Sequence, residues 1–283
     1  MSVSSSVNFI GDYAFAKNNN LKNIDVNNLN PNYCSLNGVL YNKEKTKLIN
    51  YPAKKLDAYF IIPETVNLIQ KWAFYNSTIL TSVIIPNLVT SIPDETFYGC
   101  TNLTSVTIPN SITYIGYQAF YNCSNLSSIT IPNSVTSIDD NALYSCSNLS
   151  AIHSQAAIPP TLIQRYQSGA KVFGLIDKSV CILYVPVGSK TAYLGAAQWK
   201  DFKNIVEVTT DVLSLIQDKI NIKVKSNKII LNNIKPGVTV QIFTTDGKMI
   251  FQEKSINQTL DIVLPKNYIY IVKAGDYRAK VIL

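Results

Sequence analysis

The sequence predicts a parallel β-solenoid followed by a small antiparallel β-sandwich. Ile-Pro pairs recur every 23 residues, apolar residues alternate ahead of each pair, and the pattern changes after residue 208. The pairs are Ile62-Pro63, Ile85-Pro86, Ile108-Pro109 and Ile131-Pro132. A unit of this length cannot bury its apolar face alone, so successive units are expected to stack and share one elongated core.

Each repeat is expected to contain two short strands and a closing turn. Leu103, Val106 and Ile108 show the alternation of a strand with one side facing inward. The following Pro ends that strand because it has no N–H for the ladder. A second apolar pair, Ile112 and Ile115, predicts a short return strand, and an aromatic segment closes the coil.

Stacked coils place equivalent residues in columns about 4.8 Å apart. The recurring Phe and Tyr are expected to pack in such columns. A column of Cys is expected to be small buried packing residues, since ligands spaced one full repeat apart do not converge on a metal. A column of Asn is expected to bond the backbone of its own turns. The two columns are Cys100, Cys123 and Cys146, and Asn102, Asn125 and Asn148.

The flanks of the array differ from its middle. An insertion contains residues 38–49, where two apolar runs around a polar turn predict a hairpin. After Ile152 the period breaks, and residues 159–178 have a helical pattern. A last strand and a capping helix over Ser189–Trp199, with Ser189 as N-cap, complete a domain of residues 1–208.

Residues 209–283 are expected to form a second, β-sandwich domain. Seven short strands separated by turn residues predict this architecture. The predicted strands are 220–224, 228–231, 238–244, 249–253, 259–263, 268–274 and 278–282.

Composition excludes some classes of function. The net charge is +7, yet residues 75–158 contain four acids and no Lys or Arg. A nucleic-acid binder would place cations on its repeats, so nucleic acid is not an expected partner. No apolar run reaches the about 18 residues of a membrane span. The first residues have neither the basic nor the apolar region of a secretion signal.

Catalysis is not expected. His153 is the only histidine, so a Ser-His-Asp or Cys-His arrangement would have to use it. Its position in the repeat instead predicts an outward-facing, exposed side chain. The acidic pairs Asp94-Glu95 and Asp139-Asp140 are interpreted as helix-start acids. No cofactor or metal site is predicted, because no P-loop, GxGxxG or HExxH motif occurs.

The candidate binding site is the outward side of the main strands, expected to be the concave face of the solenoid. Its positions carry short hydroxyls and one histidine, without the aromatic or Arg anchors of strong interfaces. Such residues also suit a merely solvated strand, so both interpretations stay open. The candidates are Thr81, Ser82, Thr104, Ser105, Thr107, Ser127, Ser128, Thr130, Ser150 and His153.

The repeats resemble the leucine-rich repeat, and in particular the BspA-type (Treponema-type) bacterial family. The strings "IPNSVTSIDDNAL" (131–143) and "IPNSITYIGYQAFYNC" (108–123) carry the resemblance, together with "NGVLYNKEKTKLINYPA" (37–53). The closing segment 183–208 is similar to the ends of such arrays, and residues 237–283 are similar to C-terminal sorting domains of Bacteroidetes secretion.

The resemblance implies a secreted or cell-surface protein, because family members are largely located there and some act as adhesins. We therefore expect a monomeric binding module for a host protein or glycan. The alternative is a structural spacer that anchors or displays something else and has no ligand of its own.

Overall fold

The computed structural model describes residues 1–165 and 171–209, and then a set of strands between residues 221 and 282. The later described ranges are 221–225, 228–232, 239–244, 249–254, 259–264, 269–274 and 277–282. The chain divides into two compact units, Met1–Leu213 and Ser214–Leu283. Each unit is described by itself.

The first unit contains seventeen described strands and two short helices. The strands are β1 (Ser2–Val3), β2 (Asp25–Val26), β3 (Tyr33–Leu36), β4 (Val39–Asn42), β5 (Lys47–Asn50), β6 (Tyr59–Ile61), β7 (Leu68–Ile69), β8 (Ser82–Ile84), β9 (Ser91–Ile92), β10 (Ser105–Thr107), β11 (Tyr114–Ile115), β12 (Ser128–Ile131), β13 (Ser137–Ile138), β14 (Ala151–Ser154), β15 (Thr161–Leu162), β16 (Ile182–Pro186) and β17 (Asn204–Val208). The helices are α1 (Lys190–Gly195) and a 3₁₀ helix (Trp199–Asp201).

Two parallel ladders run along the array and confirm the predicted solenoid. The main ladder has the orders β6-β8-β10 and β12-β14-β16-β17, and the return ladder is β9-β11-β13-β15. Ser82 pairs with Ser105 in the main ladder, and Tyr114 pairs with Ser137 in the return ladder, each one full repeat further along. A constant step keeps equivalent side chains in line, so the repeat in the sequence becomes a set of columns.

The core lies between the two ladders. Leu80, Leu103, Leu126 and Leu149 are all buried in one continuous cluster. The Phe97 ring stacks between its neighbours in the column, with centroids 4.9 Å from Phe74 and 5.2 Å from Phe120. Burying a side chain of this size stabilises the fold by about 2 kcal/mol, and each coil repeats the contribution.

The Cys column is buried packing, as predicted. Cys100, Cys123 and Cys146 are free thiols without solvent exposure. Each also donates its S–H to a carbonyl oxygen of the preceding coil, as in the 3.0 Å contact from Cys100 Sγ to Phe74 O. Burial raises the pKa of the Cys100 and Cys146 thiols to about 12, so these groups stay protonated at neutral pH.

The prediction for the Asn column is wrong. Asn125 Nδ2 donates to Asn102 Oδ1 at 3.3 Å, and Asn148 Nδ2 donates to Asn125 Oδ1 at 3.1 Å. The amides therefore bond one another along the stack instead of their own turns. An amide carries both a donor and an acceptor, so a column in register forms a continuous chain.

The closing turns place two residues per coil in the left-handed region of backbone conformation. Most residues in these columns have a Cβ, which makes this conformation sterically unfavourable. The first column is Trp72, Glu95, Gln118 and Asn141, and the second is Asn76, Gly99, Asn122 and Ser145.

The hairpin predicted over residues 38–49 is present, since β4 and β5 pair antiparallel. The helix predicted for residues 159–178 is wrong wherever the structure describes that range. Thr161–Leu162 is strand β15 and pairs with β13 in the return ladder. Residues 171–180 form turns instead of a helix, and residues 166–170 lie outside the described part of the chain.

The period lengthens after Ile152 without ending the array. Ala151 pairs with Ser128 behind it and with Ile182 ahead of it, so this coil is longer than its predecessors. The additional residues lie between β15 and β16. Burial of apolar residues in the shared core therefore outweighed the local helical preference of this segment.

The cap of the array is shorter than predicted. Helix α1 covers Lys190–Gly195, and Ser189 makes no side-chain capping bond. Glu207 Oε1 accepts the Lys190 N–H at 2.9 Å instead. The Tyr193 hydroxyl donates to Ala156 O at 2.8 Å, and the Trp199 indole donates to Pro160 O at 3.1 Å. These bonds hold the cap on the lengthened coil.

The second unit contains two antiparallel sheets. Its strands are β18 (Asn221–Lys225), β19 (Lys228–Asn232), β20 (Thr239–Thr244), β21 (Met249–Lys254), β22 (Thr259–Val263), β23 (Ile269–Ala274) and β24 (Tyr277–Ile282). The sheet orders are β18-β19-β22 and β21-β20-β23-β24. Ile229 and Ile262 of one sheet share a buried cluster with Val240 and Val272 of the other. This arrangement is the predicted sandwich.

Candidate functional site

The concave face consists of the main-ladder side chains that point away from the core, including the residue preceding each strand. Val83, Ile129, Ile152 and Leu183 point inward and are buried, so their neighbours along each strand point outward. Thr104, Ser127, Ser128 and Ser150 are exposed. Half-buried positions on the same face are Thr81, Ser82, Ser105, Thr107, Thr130 and His153.

Strand register arranges these residues in rows. Ser82 and Ser105 are direct partners, and their hydroxyl oxygens lie 3.0 Å apart. Thr130 pairs with His153, and His153 pairs with Tyr184. The predicted residues are therefore brought together as the repeat requires, and the row continues beyond the last predicted position.

Some of the predicted hydroxyls already serve the fold. Thr81 Oγ1 donates to Ala58 O at 2.8 Å, Thr104 Oγ1 to Thr81 O at 3.0 Å, and Ser150 Oγ to Ser127 O at 3.1 Å. A hydroxyl has one proton to donate, and in these residues the neighbouring coil takes it. The residues that precede the strands can therefore accept hydrogen bonds from a ligand more readily than they can donate them.

His153 is less exposed than its repeat position suggests. Its ring stacks on the Tyr184 ring, with centroids 4.6 Å apart and planes at 7°. The Nδ1 atom is buried and has no hydrogen-bond partner among the described residues. Burial lowers the pKa of His153 below its ordinary value, so the neutral imidazole predominates at pH 7.

The sequence missed the aromatic and apolar end of the concave face. Ile182 and Tyr184 on β16 and Val206 on β17 continue the outward rows. Tyr184 is half-buried, and Val206 is 40% exposed. The expectation that this face lacks aromatic residues is therefore wrong. The alternating string Ile182-Leu183-Tyr184-Val185 was the available signal, but its place in the array depended on the lengthened coil.

The acidic residues lie on the return side of the coils, away from these rows. Arg165 donates to Asp94 Oδ2 at 3.1 Å, to the Tyr114 hydroxyl at 3.0 Å and to Asp139 Oδ2. Lys71 adds a second ion pair to Asp94 at 3.0 Å. We call this group the Arg165 clasp. It neutralises acids of two coils, and Arg165 alone contacts three successive coils.

The acids do not begin helices, contrary to expectation. Asp94 Oδ1 accepts the N–H of Tyr117 at 3.0 Å, and Asp139 Oδ1 accepts the N–H of Asp140 at 2.7 Å. Both therefore cap turns. Burial tends to raise the pKa of the Asp94 carboxyl, but hydrogen bonds from Lys71 and Arg165 outweigh it and lower that pKa below its ordinary value.

The concave face offers neutral hydroxyls, one neutral imidazole and an apolar end. The buried Nδ1 of His153 has no Ser, Cys or Asp bonded to it within the described residues. Nor do three or more His, Cys, Asp or Glu side chains converge anywhere in that part of the chain. No helix in the described ranges has the length and hydropathy to cross a membrane.

Comparison with known proteins identifies the repeat type. The family model for the BspA type leucine rich repeat region matches residues 1–57 and 53–160, in six copies. No curated protein matches the chain in sequence.

Solved structures show the same architecture. A leucine rich cell surface protein from Faecalibacterium prausnitzii is 26% identical with a TM-score of 0.58, over 73% of this chain and 52% of that chain. The pneumococcal vaccine antigen PcpA is 20% identical with a TM-score of 0.55, over 74% of this chain and 55% of that chain, and supports the fold alone. The matched region thus spans about half of each of these two proteins.

Proposed function

Since the chain belongs to the BspA-type leucine-rich repeat family, we propose that it is a cell-surface or secreted binding module that contacts a protein partner through the concave face. One observation carries the proposal: a row of outward side chains passes from neutral hydroxyls at Thr107 and Thr130 to the ring pair His153–Tyr184. A stacked repeat surface of this kind is the usual binding surface of solenoids.

The contacts favour a protein over a glycan as the partner. Sugars are commonly held by hydroxyl donors and by open aromatic faces. Several donors on this face are committed to backbone carbonyls, and the Tyr184 ring is covered on one side by His153. Ile182, Tyr184 and Val206 instead supply apolar area beside neutral polar groups, which is the composition of a protein interface.

Charge substitution tests the proposal. Thr107→Lys combined with Thr130→Lys places two cations in the middle of the concave face. Thr113→Lys is the matched control, because Thr113 is exposed on the return side of the same array. The full chain and each variant would be compared on purified extracellular-matrix proteins and on a glycan array.

The double variant should lose at least about tenfold in affinity for the protein that the wild type binds, since a buried unpaired charge is costly. Thr113→Lys should bind as the wild type does. Equal loss in both variants, or loss in neither, would contradict a contact through this face. Binding to glycans alone would reject the protein partner.

The spacer hypothesis remains the alternative and makes the opposite prediction. Hydroxyls bonded to the preceding coil and the Asn chain on the array surface are what a rigid spacer needs. A spacer would show no saturable binding by the full chain to either panel.

We extend the proposal to location and assembly. The cell-surface description of the Faecalibacterium prausnitzii protein supports a surface location, and the resemblance of residues 237–283 to sorting domains supports attachment through a domain of residues 209–283. In the native host, deletion of residues 209–283 should leave less of the protein at the cell surface. Cleavage by a protease added to intact cells measures the amount that is exposed there. A monomer is proposed, and light scattering after size exclusion measures it.

A further inference from the structure

A second surface of the array carries a row of tyrosines that the proposed concave site does not use. Tyr75, Tyr98, Tyr121 and Tyr144 occupy the same position in four successive coils. We call them the tyrosine ridge. Their rings stack with centroids 4.9, 4.7 and 5.2 Å apart and planes within 6° of parallel. All four are half-buried, so each ring shows an edge to solvent.

The hydroxyls of the ridge have no role in the fold. Elsewhere, Tyr51 donates its hydroxyl to Asp57 O, and the Tyr114 hydroxyl bonds Asp139. The four ridge hydroxyls bond nothing among the described residues, and water can reach them. Stacking alone needs only the ring, which Phe provides in the adjacent core column. The ridge therefore presents a line of unused donors and acceptors.

The spacing of the ridge is close to the three-residue repeat of a polyproline II chain. Every second ring recurs at about 10 Å. A polyproline II helix repeats every three residues, at about 9.3 Å, and has no internal hydrogen bonds. Its carbonyls on one side can therefore accept from alternate hydroxyls of the ridge, while its pyrrolidine rings pack against the tyrosine edges. Proline-rich segments dock on aromatic-lined grooves in this manner.

The surroundings of the ridge carry charges of both signs and suit an uncharged segment. Glu95 lies near Tyr75 and Tyr98, and Lys17 and Lys71 lie near Glu95. Burial raises the pKa of Tyr75 and Tyr98, and the negative charge of the nearby Glu95 adds to the effect. The ridge also has a defined end. A Cβ added to Gly174 would lie 2.3 Å from the Tyr144 ring, so the backbone there covers the last ring face.

From the free hydroxyls and their spacing, we propose that the tyrosine ridge is a docking site for an extended, proline-rich segment of a partner protein. The site is separate from the concave face and does not depend on the function proposed for that face. The pyrrolidine rings supply apolar contact, and the carbonyls supply the hydrogen bonds.

A synthetic peptide tests the proposal. The probe is a repeated Pro-Pro-Ala sequence about nine residues long, titrated into the full chain by calorimetry, with a Gly-Ser peptide of the same length as comparison. Tyr98→Phe combined with Tyr121→Phe keeps the ring stack and removes one hydroxyl from each alternating pair. Tyr59→Phe, on strand β6 of the main ladder, is the matched control variant.

The wild type should bind the proline-rich peptide and not the Gly-Ser peptide. The double Phe variant should bind about tenfold more weakly, which is the loss expected for hydroxyl donors, with an unchanged melting temperature. Tyr59→Phe should bind as the wild type does. Absence of peptide binding, equal binding of the Gly-Ser peptide, or full affinity in the double Phe variant would each overturn the proposal.

Discussion

Left-handed backbone positions recur in each closing turn, and the residues found there differ in cost. Gly99 adopts φ +69° without strain, whereas Ser145 adopts φ 62° at the equivalent place two coils later. A residue with a Cβ loses about 1 kcal/mol in this region. The turn geometry is therefore set by the coil, and the side chain merely tolerates it.

Replacing Ser145 by Gly should raise the free energy of unfolding by about 1 kcal/mol, because it removes that strain. Urea denaturation followed by circular dichroism measures it. The reverse change, Gly99→Ala, should destabilise, since its Cβ would lie 2.0 Å from Asn76 Oδ1. A stabilised Gly99→Ala variant would refute the argument.

Ser77 occupies the position of the Cys column one coil before Cys100. Its hydroxyl is fully buried and has no hydrogen-bond partner in the described part of the chain. Ser77→Ala should therefore raise the melting temperature, because a buried unsatisfied hydroxyl costs about 1 kcal/mol. Cys100→Ala should lower it, since Cys100 both fills space and bonds Phe74 O. Differential scanning calorimetry compares the two, and destabilisation of similar size in both would contradict the distinction.

At the scale of the element, the Arg165 clasp fixes a segment between β15 and β16 against three coils. Asp94 has a side-chain exposure of only 12%, and Lys71 and Arg165 both contact its Oδ2. Because the pKa of Asp94 is lowered in the folded state, its contribution to stability is present above the unfolded pKa of about 4. This contribution is lost as pH falls through the lower pKa that Asp94 has in the folded state.

Asp94→Asn should lower the free energy of unfolding by about 1 kcal/mol at pH 7, since Lys71 loses its ion pair and Arg165 keeps only the one to Asp139. The difference from wild type should shrink as pH falls through the lowered pKa of Asp94, because the wild-type carboxyl then becomes protonated. Urea denaturation across this pH range measures both. The exposed Asp12→Asn is the control, and a difference that stays constant with pH would refute the ionic account.

Elements with a local sequence pattern were predictable, both in the repeats and in the second unit, whereas contacts made across the lengthened coil were not. The bounds of the strands in the second unit agree with the predictions to within one residue, because each strand is a short alternating run between turn residues. The clasp was not predictable, since Arg165 lies 71 residues from Asp94 and belongs to no repeat. Tyr184 was missed for a related reason: no spacing rule places a residue across a coil of unknown length.

At the scale of the whole molecule, the first unit is one stack in which neighbouring coils protect each other. Cys100, Cys123, Cys146 and Cys181 are buried, whereas Cys34 is partly exposed. Local opening should expose the first four only when coils separate. The concave rows were predictable at this scale because stacking preserves register, but which row binds a partner depends on contacts that repetition does not encode.

Alkylation with iodoacetamide should therefore label one thiol under native conditions and the remaining four only with global unfolding, as read by intact mass against urea concentration. The reason is access, reinforced by burial that raises the pKa of the Cys100 and Cys146 thiols to about 12. Rapid labelling of two or more thiols in buffer would show that the stack opens locally.

The pairing of Ala151 with Ile182 has a consequence for engineering. Extra length was accommodated at one corner of a coil while the neighbouring strands kept their alignment. That corner is therefore a natural place to graft foreign peptides. A peptide inserted there would lie at the side of the coil, and the neighbouring strands would keep their pairing.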